Sequence, residues 1–116
     1  AELRAEMTYV LAQGYEKLGL FDDAEKLARD ALAARRTLHA GAHPELVASL
    51  TQVGWVLHQK RALDEAEATL REAVTLARRA QPGADGALAR ALNDLGVVRE
   101  ARRDFDEAEI LDRTLS

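Results

Sequence analysis

Three groups of residues in this chain have side chains suited to chemistry. His39 and His43 lie four residues apart with Glu45 close behind, and a zinc pair at that spacing wants both imidazoles on one helical face. Carboxylates recur in Asp22-Asp23-Ala24-Glu25, Asp64-Glu65-Ala66-Glu67 and Asp106-Glu107-Ala108-Glu109, residue types that serve general acid–base catalysis. His58 and Ser49 are the remaining candidates for a base and a nucleophile. None of these groups completes a site. Gly41 and Pro44 break the segment that carries His39 and His43, and no further metal ligands stand at a useful spacing. His58 has no acidic or cysteine partner at motif spacing, and Ser49 lacks the turn that exposes a nucleophile. The absence of cysteine removes thiolate metal sites, disulfides and a thiol nucleophile together. No catalytic residue, metal or cofactor is expected, and the chain reads as non-enzymatic.

The carboxylates are better explained by the elements that must hold them. Each acidic box follows the last by 42 residues. The same register aligns Ala12 with Gly54 and Gly96, Phe21 with Leu63 and Phe105, and Arg29 with Arg71 and Arg113. It also pairs Leu50 with Leu92, Val53 with Leu95 and Ala31 with Ala73, with no insertion or deletion. A fixed period of this kind marks a stack of similar units, each needing its neighbour to bury an apolar face. The units span 1–42, 43–84 and 85–116, the last incomplete, in a single array. The apolar end at Ile110, Leu111 and Leu115 suggests a piece of a longer protein, since terminal units normally carry a polar outer face.

Apolar residues within a unit recur at steps of three and four and then restart, which predicts two helices per unit. Leu46, Leu50, Val53, Gly54 and Leu57 form one stripe; Leu63, Ala66, Leu70, Ala73, Val74 and Ala77 form the next. Six helices are expected, at 2–18, 22–39, 44–60, 64–80, 86–102 and 106–116. Asp22, Asp64 and Asp106 suit N-caps, with Glu25, Glu67 and Glu109 reaching back as in a capping box. Gly41 is placed to close a helix and Pro44 to open one.

Composition narrows the function. A net charge of −4 argues against binding phosphate backbones, and no run approaches the roughly 18 apolar residues of a membrane span. No signal peptide opens the chain, so a cytoplasmic location is expected. Thirteen arginines against three lysines suggest a bacterial source.

Small residues at Ala12, Gly54, Gly96 and at Ala24, Ala66, Ala108, each followed by an acidic second helix, resemble tetratricopeptide repeats. The 42-residue unit with His43-Pro44 between units resembles the longer kinesin light chain variety, most fully over residues 43–79. Asp85-Gly86 departs from the His-Pro of that pattern, and Asp112 replaces the apolar residue seen at Leu70, so the third unit is expected to pack less well. The resemblance implies an all-α, right-handed solenoid of antiparallel helix pairs that binds a protein or peptide in a concave groove.

Groove positions carried over from it are Glu6, Tyr9, Gln13 and Glu16; Ala48, Thr51, Trp55 and His58; and Arg90, Asn93, Val97 and Glu100. Trp55 is the expected anchor, because large aromatics dominate interface energetics. Asn93 resembles the family asparagine whose amide pairs with a peptide backbone. The reading is a protein-interaction scaffold with neither nucleic-acid nor membrane partners. Its alternatives are a structural, self-associating segment or a regulatory module of a multidomain bacterial signalling protein. A homodimer through Val97, Ile110, Leu111 and Leu115 at the uncapped C-terminal end is also expected.

Overall fold

The computed structural model describes residues 1–115 and contains five helices: α1 (Glu2–Lys17), α2 (Phe21–Leu38), α3 (Pro44–Gln59), α4 (Leu63–Arg79) and α5 (Asp85–Leu115). Ser116, the last residue of the expected sixth helix, lies outside the described residues. Helix α2 packs against α1 and α3, α4 packs against α3 and α5, and α3 also meets α5. First helices therefore form one layer and second helices the other, in an all-α solenoid of 54 × 30 × 19 Å. Helix α3 is the most enclosed element, with Leu46, Val47, Leu50, Val53, Val56 and Leu57 all buried.

The tightest packing joins α3 to α4. A Cβ placed on Gly54 would lie 2.6 Å from Leu70 Cγ and 2.8 Å from its Cδ2, so Leu70 occupies the volume that a side chain at 54 would need. One unit earlier, both counterparts are alanine, and Ala12 and Ala28 are fully buried. One unit later the arrangement fails: Asp112 stands at the Leu70 position, and a Cβ on Gly96 would meet nothing within 4 Å.

That failure accompanies the largest departure from the expected elements. The helices at 86–102 and 106–116 are not separate; α5 runs unbroken through Arg103. In the first two units the chain reverses through the same short motif. The N–H of Leu20 donates to Tyr15 O and that of Gly19 to Glu16 O, while Ala62 donates to Leu57 O and Arg61 to His58 O. The residue at the centre takes a left-handed conformation, with φ 77° at Gly19 and 67° at Arg61. For a non-glycine residue this costs about 1–2 kcal/mol, offset at Arg61 by burial of the α4 stripe. Arg103 occupies the equivalent position, but residues 106–115 bring Asp112 instead of a leucine and return too little apolar surface. The helix therefore continues, leaving Phe105, Ile110, Leu111 and Leu115 exposed.

The acidic boxes also differ from expectation. The N-caps are Leu20 and Ala62, without side-chain caps, so Asp22 and Asp64 fall in the first helical turn and no capping box forms. The reversal is so short that its closing residue also starts the next helix, which moves each aspartate past the cap. Gly41 closes nothing either: α2 ends at extended His39. Pro44 does open α3, behind a cap in which His43 Nδ1 accepts from the Glu45 N–H.

The carboxylates instead bind the following unit. Lys60 Nζ lies 2.7 Å from Asp22 Oδ1 and 2.6 Å from Glu25 Oε1. Arg102, 42 residues beyond Lys60, lies 3.0 Å from Asp64 Oδ1 and 2.5 Å from Glu67 Oε1. Second helices pair similarly through Arg29–Glu65 at 2.7 Å and Arg36–Glu72 at 2.8 Å. Hydrogen bonds from Lys60 to Glu25 and from Arg102 to Glu67 hold both carboxyls below their ordinary value.

Two outcomes are expected. Gly54→Ala should destabilise the fold by about 1–3 kcal/mol through overpacking against Leu70; an unchanged urea midpoint would contradict the Gly54–Leu70 contact. Because the folded-state value of Glu67 is depressed, its contribution is present above the unfolded-state carboxylate value and disappears as pH falls through the folded one. Glu67→Gln should therefore cost about 1–2 kcal/mol near neutrality and flatten the acid limb of stability against pH. A parallel acid limb would show that Glu67 is not linked to folding.

Candidate functional site

The layer of first helices carries a cleft of about 230 Å³ between α1, α3 and α5. Helix α1 contributes Tyr9, Gln13 and Glu16, α3 contributes Thr51 and Trp55, and α5 contributes Arg90. With Ala48 of α3, seven residues expected at the groove therefore meet in one place, because consecutive first helices lie side by side in the solenoid. His58 adjoins it, its ring 4.9 Å from that of Trp55 at 40°. Asn93, Val97 and Glu100 do not line the cleft; Asn93 and Glu100 are exposed and Val97 is half-buried. Thr51, expected at the groove, is only 3% exposed, and its hydroxyl donates to Val47 O at 2.9 Å instead of facing a ligand.

A larger cavity, about 720 Å³, lies elsewhere, lined in part by Leu63, Arg102 and Phe105. It sits where α5 runs straight past the site of the missing reversal.

Residues 3–79 match the family model for the tetratricopeptide repeat. The chain belongs to the tetratricopeptide repeat family. Tetratricopeptide repeats in general form non-catalytic scaffolds for protein–protein interaction. No curated protein matches the sequence. The family match ends at the last residue of α4, so the third unit, with Arg103 and Asp112 at its two key positions, lies beyond it. Among the described residues no helix is long and apolar enough to cross a membrane.

Two buried positions, one lining this tetratricopeptide cleft and one behind it, escaped the sequence reading. Gln52 and Asp94 stand 42 residues apart, each two before the small residue of its unit, and each is only 6% exposed. Gln52 Nε2 donates to Tyr9 O at 2.9 Å, tying α3 to α1, but its Oε1 is buried without a hydrogen-bond partner. Asp94 Oδ2 is in the same state, and so is His58 Nδ1. Polar types recurring beside core leucines were the available signal. Burial raises the Asp94 carboxyl above its ordinary value and raises Glu16 against the pull of Arg90, while burial lowers His58.

Arg35 is the third missed residue. It is 3% exposed and donates to Glu6 Oε2 at 2.8 Å, to Ser49 Oγ at 3.1 Å and to Glu45 O at 3.2 Å. Its Cζ also stands 4.5 Å over the Tyr9 ring, so one guanidinium positions α1 against α3. Ser49 is thereby a buried structural acceptor, and Glu6 is engaged at the cleft's edge.

His39, His43 and Glu45, separated in the sequence reading, come together at the junction of the first two units, with ligand atoms within 4.8 Å of one another. His39 Nε2 lies 2.9 Å from Glu45 Oε1. The imidazoles are stacked at 3.6 Å with planes 9° apart, so their in-plane lone pairs run nearly parallel. Two such nitrogens do not converge on one metal at about 2.0–2.1 Å. The trio is arranged to cap α3 and fasten the loop before it.

Proposed function

We propose that the α1–α3–α5 face binds an extended segment of a protein partner, with Trp55 as its main anchor. The observation that carries this reading is the cleft itself. Side chains from three successive first helices border one depression, whose walls include a half-buried indole and the Gln52 side chain, whose amide oxygen is buried without a hydrogen-bond partner. A peptide backbone offers the N–H donors that such an acceptor needs, and an indole buries a large area at low entropic cost. Asn93, Val97 and Glu100, farther along α5, extend the same track beyond the cleft. Net negative charge favours protein over nucleic-acid partners. The composition fits a cytoplasmic bacterial setting, such as the regulatory part of a multidomain signalling protein.

Selection of random peptides displayed on phage should yield sequences that shift the Trp55 indole resonance. Trp55→Ala should weaken their binding by about 2 kcal/mol or more. Selected peptides that ignore Trp55→Ala and map instead to α2 and α4 would overturn the reading.

Self-association is a second reading, favoured by the exposed row Phe105, Ile110, Leu111 and Leu115 on α5. Helix α1, at the other end of the stack, exposes Leu3, Met7, Val10 and Leu11. A solenoid end packed on its opposite end in a second copy would cover both faces. Sedimentation equilibrium should then show association that Leu111→Lys abolishes; a monomer at high concentration rules this reading out.

A further inference from the structure

The cleft is lined by one carboxylate, Glu16, and one cation, Arg90, and a second carboxylate, Asp94, is buried close by. Glu16 approaches from α1 and Asp94 from α5, close enough that the charge of Asp94 adds to the raised state of Glu16. The groups facing them are Arg90 and Asn93 on α5, His58 on α3 and Lys17 on α1. Burial keeps His58 toward its neutral form. Asn93 reaches only Asp94 Oδ1, at 3.5 Å. Arg90 Nε stops 4.0 Å from Asp94 Oδ2 without a hydrogen bond, on a side chain that is 65% exposed. Gln52 Oε1, on a residue that lines the cleft, and Asp94 Oδ2, behind it, are both buried without a hydrogen-bond partner on two neighbouring helices. The two aromatic rings also differ. Tyr9 already lies beneath the Arg35 guanidinium, whereas among the described residues no cation stacks on Trp55.

We propose that the bound segment presents an arginine or lysine side chain to this cleft, its cation seated between the Trp55 indole and the Glu16 carboxylate, with the buried Asp94 charge behind that seat. The inference rests on the peptide-binding reading and specifies its partner: a basic segment rather than an acidic or purely apolar one. A guanidinium suits the place best, because it stacks on an indole and directs several donors at carboxylate and amide oxygens at once. Burial holds both carboxyls above their ordinary values, a sign that the chain's own cations do not fully compensate them. Arg90 is the internal competitor and must swing aside, which its exposure allows.

The test titrates N-acetyl-arginine methylamide and its norleucine analogue into ¹⁵N-labelled protein. The single tryptophan makes the indole resonance unambiguous. The arginine probe should shift the Trp55 indole and the Glu16 and Asp94 amides, and the norleucine probe should not. Asp94→Asn, nearly isosteric, should weaken the arginine probe about tenfold, and Arg90→Ala should strengthen it. Equal shifts from both probes, no shift at the cleft, or indifference to both substitutions overturns the proposal. The phage selection separates the two failures. Groove-bound peptides without arginine or lysine would leave the peptide reading intact and sink the basic one; absence of any groove-bound peptide together with a silent arginine probe would sink both.

Discussion

Leu70 lies in the space that a side chain on Gly54 would fill, and this contact sets how closely α4 can approach α3. With the separation fixed there, the Leu63–Ala77 stripe of α4 meets the stripe of α3 in one register. The opposite side of α3, carrying Trp55 and Gln52, is then held at a defined distance from α1 and α5. Close-packed cores transmit small changes in volume, so the cleft depends on a contact on the other side of α3. The first unit solves the same problem with Ala12 and Ala28, the second with a notch and a knob. The third has a notch and no knob, and its two halves form one continuous helix.

Ion pairs then fix each unit to the next. Lys60, at the end of α3, and Arg102, at the equivalent position inside α5, reach back to the acidic box of the preceding second helix. Exposed pairs of this kind contribute little individually, but Glu67 is buried and surrounded by Arg102, Arg71 and the more distant Arg99. A buried carboxylate tolerates few arrangements of its cations, so the pairs act mainly on the angle between units. Arg35 has a similar part at the first junction, where unit two has Ala77 instead. Its guanidinium holds Tyr9 in place and at the same time takes it out of use as a cation-binding ring.

The cleft is therefore a by-product of stacking that acquires chemistry from a few substitutions on its floor. Gln52 and Asp94 occupy a position where the first unit has Val10. Burying an acceptor without a donor costs stability, and Gln52 carries one such acceptor beside the indole, with a second on Asp94 behind the cleft. The metal-like trio at His39, His43 and Glu45 shows the opposite case, since its groups satisfy one another and close a loop.

The period of 42 residues, the helical stripes and the small residues at crossings were all legible in the chain, because local spacing alone decides which face of a helix is apolar. From these followed the all-α solenoid, its family and the convergence of Tyr9, Gln13, Glu16, Trp55 and Arg90 on one layer. Three features were not legible. The acidic boxes looked like caps because capping and inter-unit pairing use the same carboxylates, and only the three-dimensional position of Lys60 and Arg102 tells them apart. The expected break at Arg103 depended on whether a returning helix could bury enough surface to offset a left-handed arginine, which is a property of the packed pair. Gln52 and Asp94 went unread, because their burial exists only once neighbouring first helices pack together. Pattern specifies which elements form and which faces they share; the balance between turning, burying and pairing is struck only when distant segments meet.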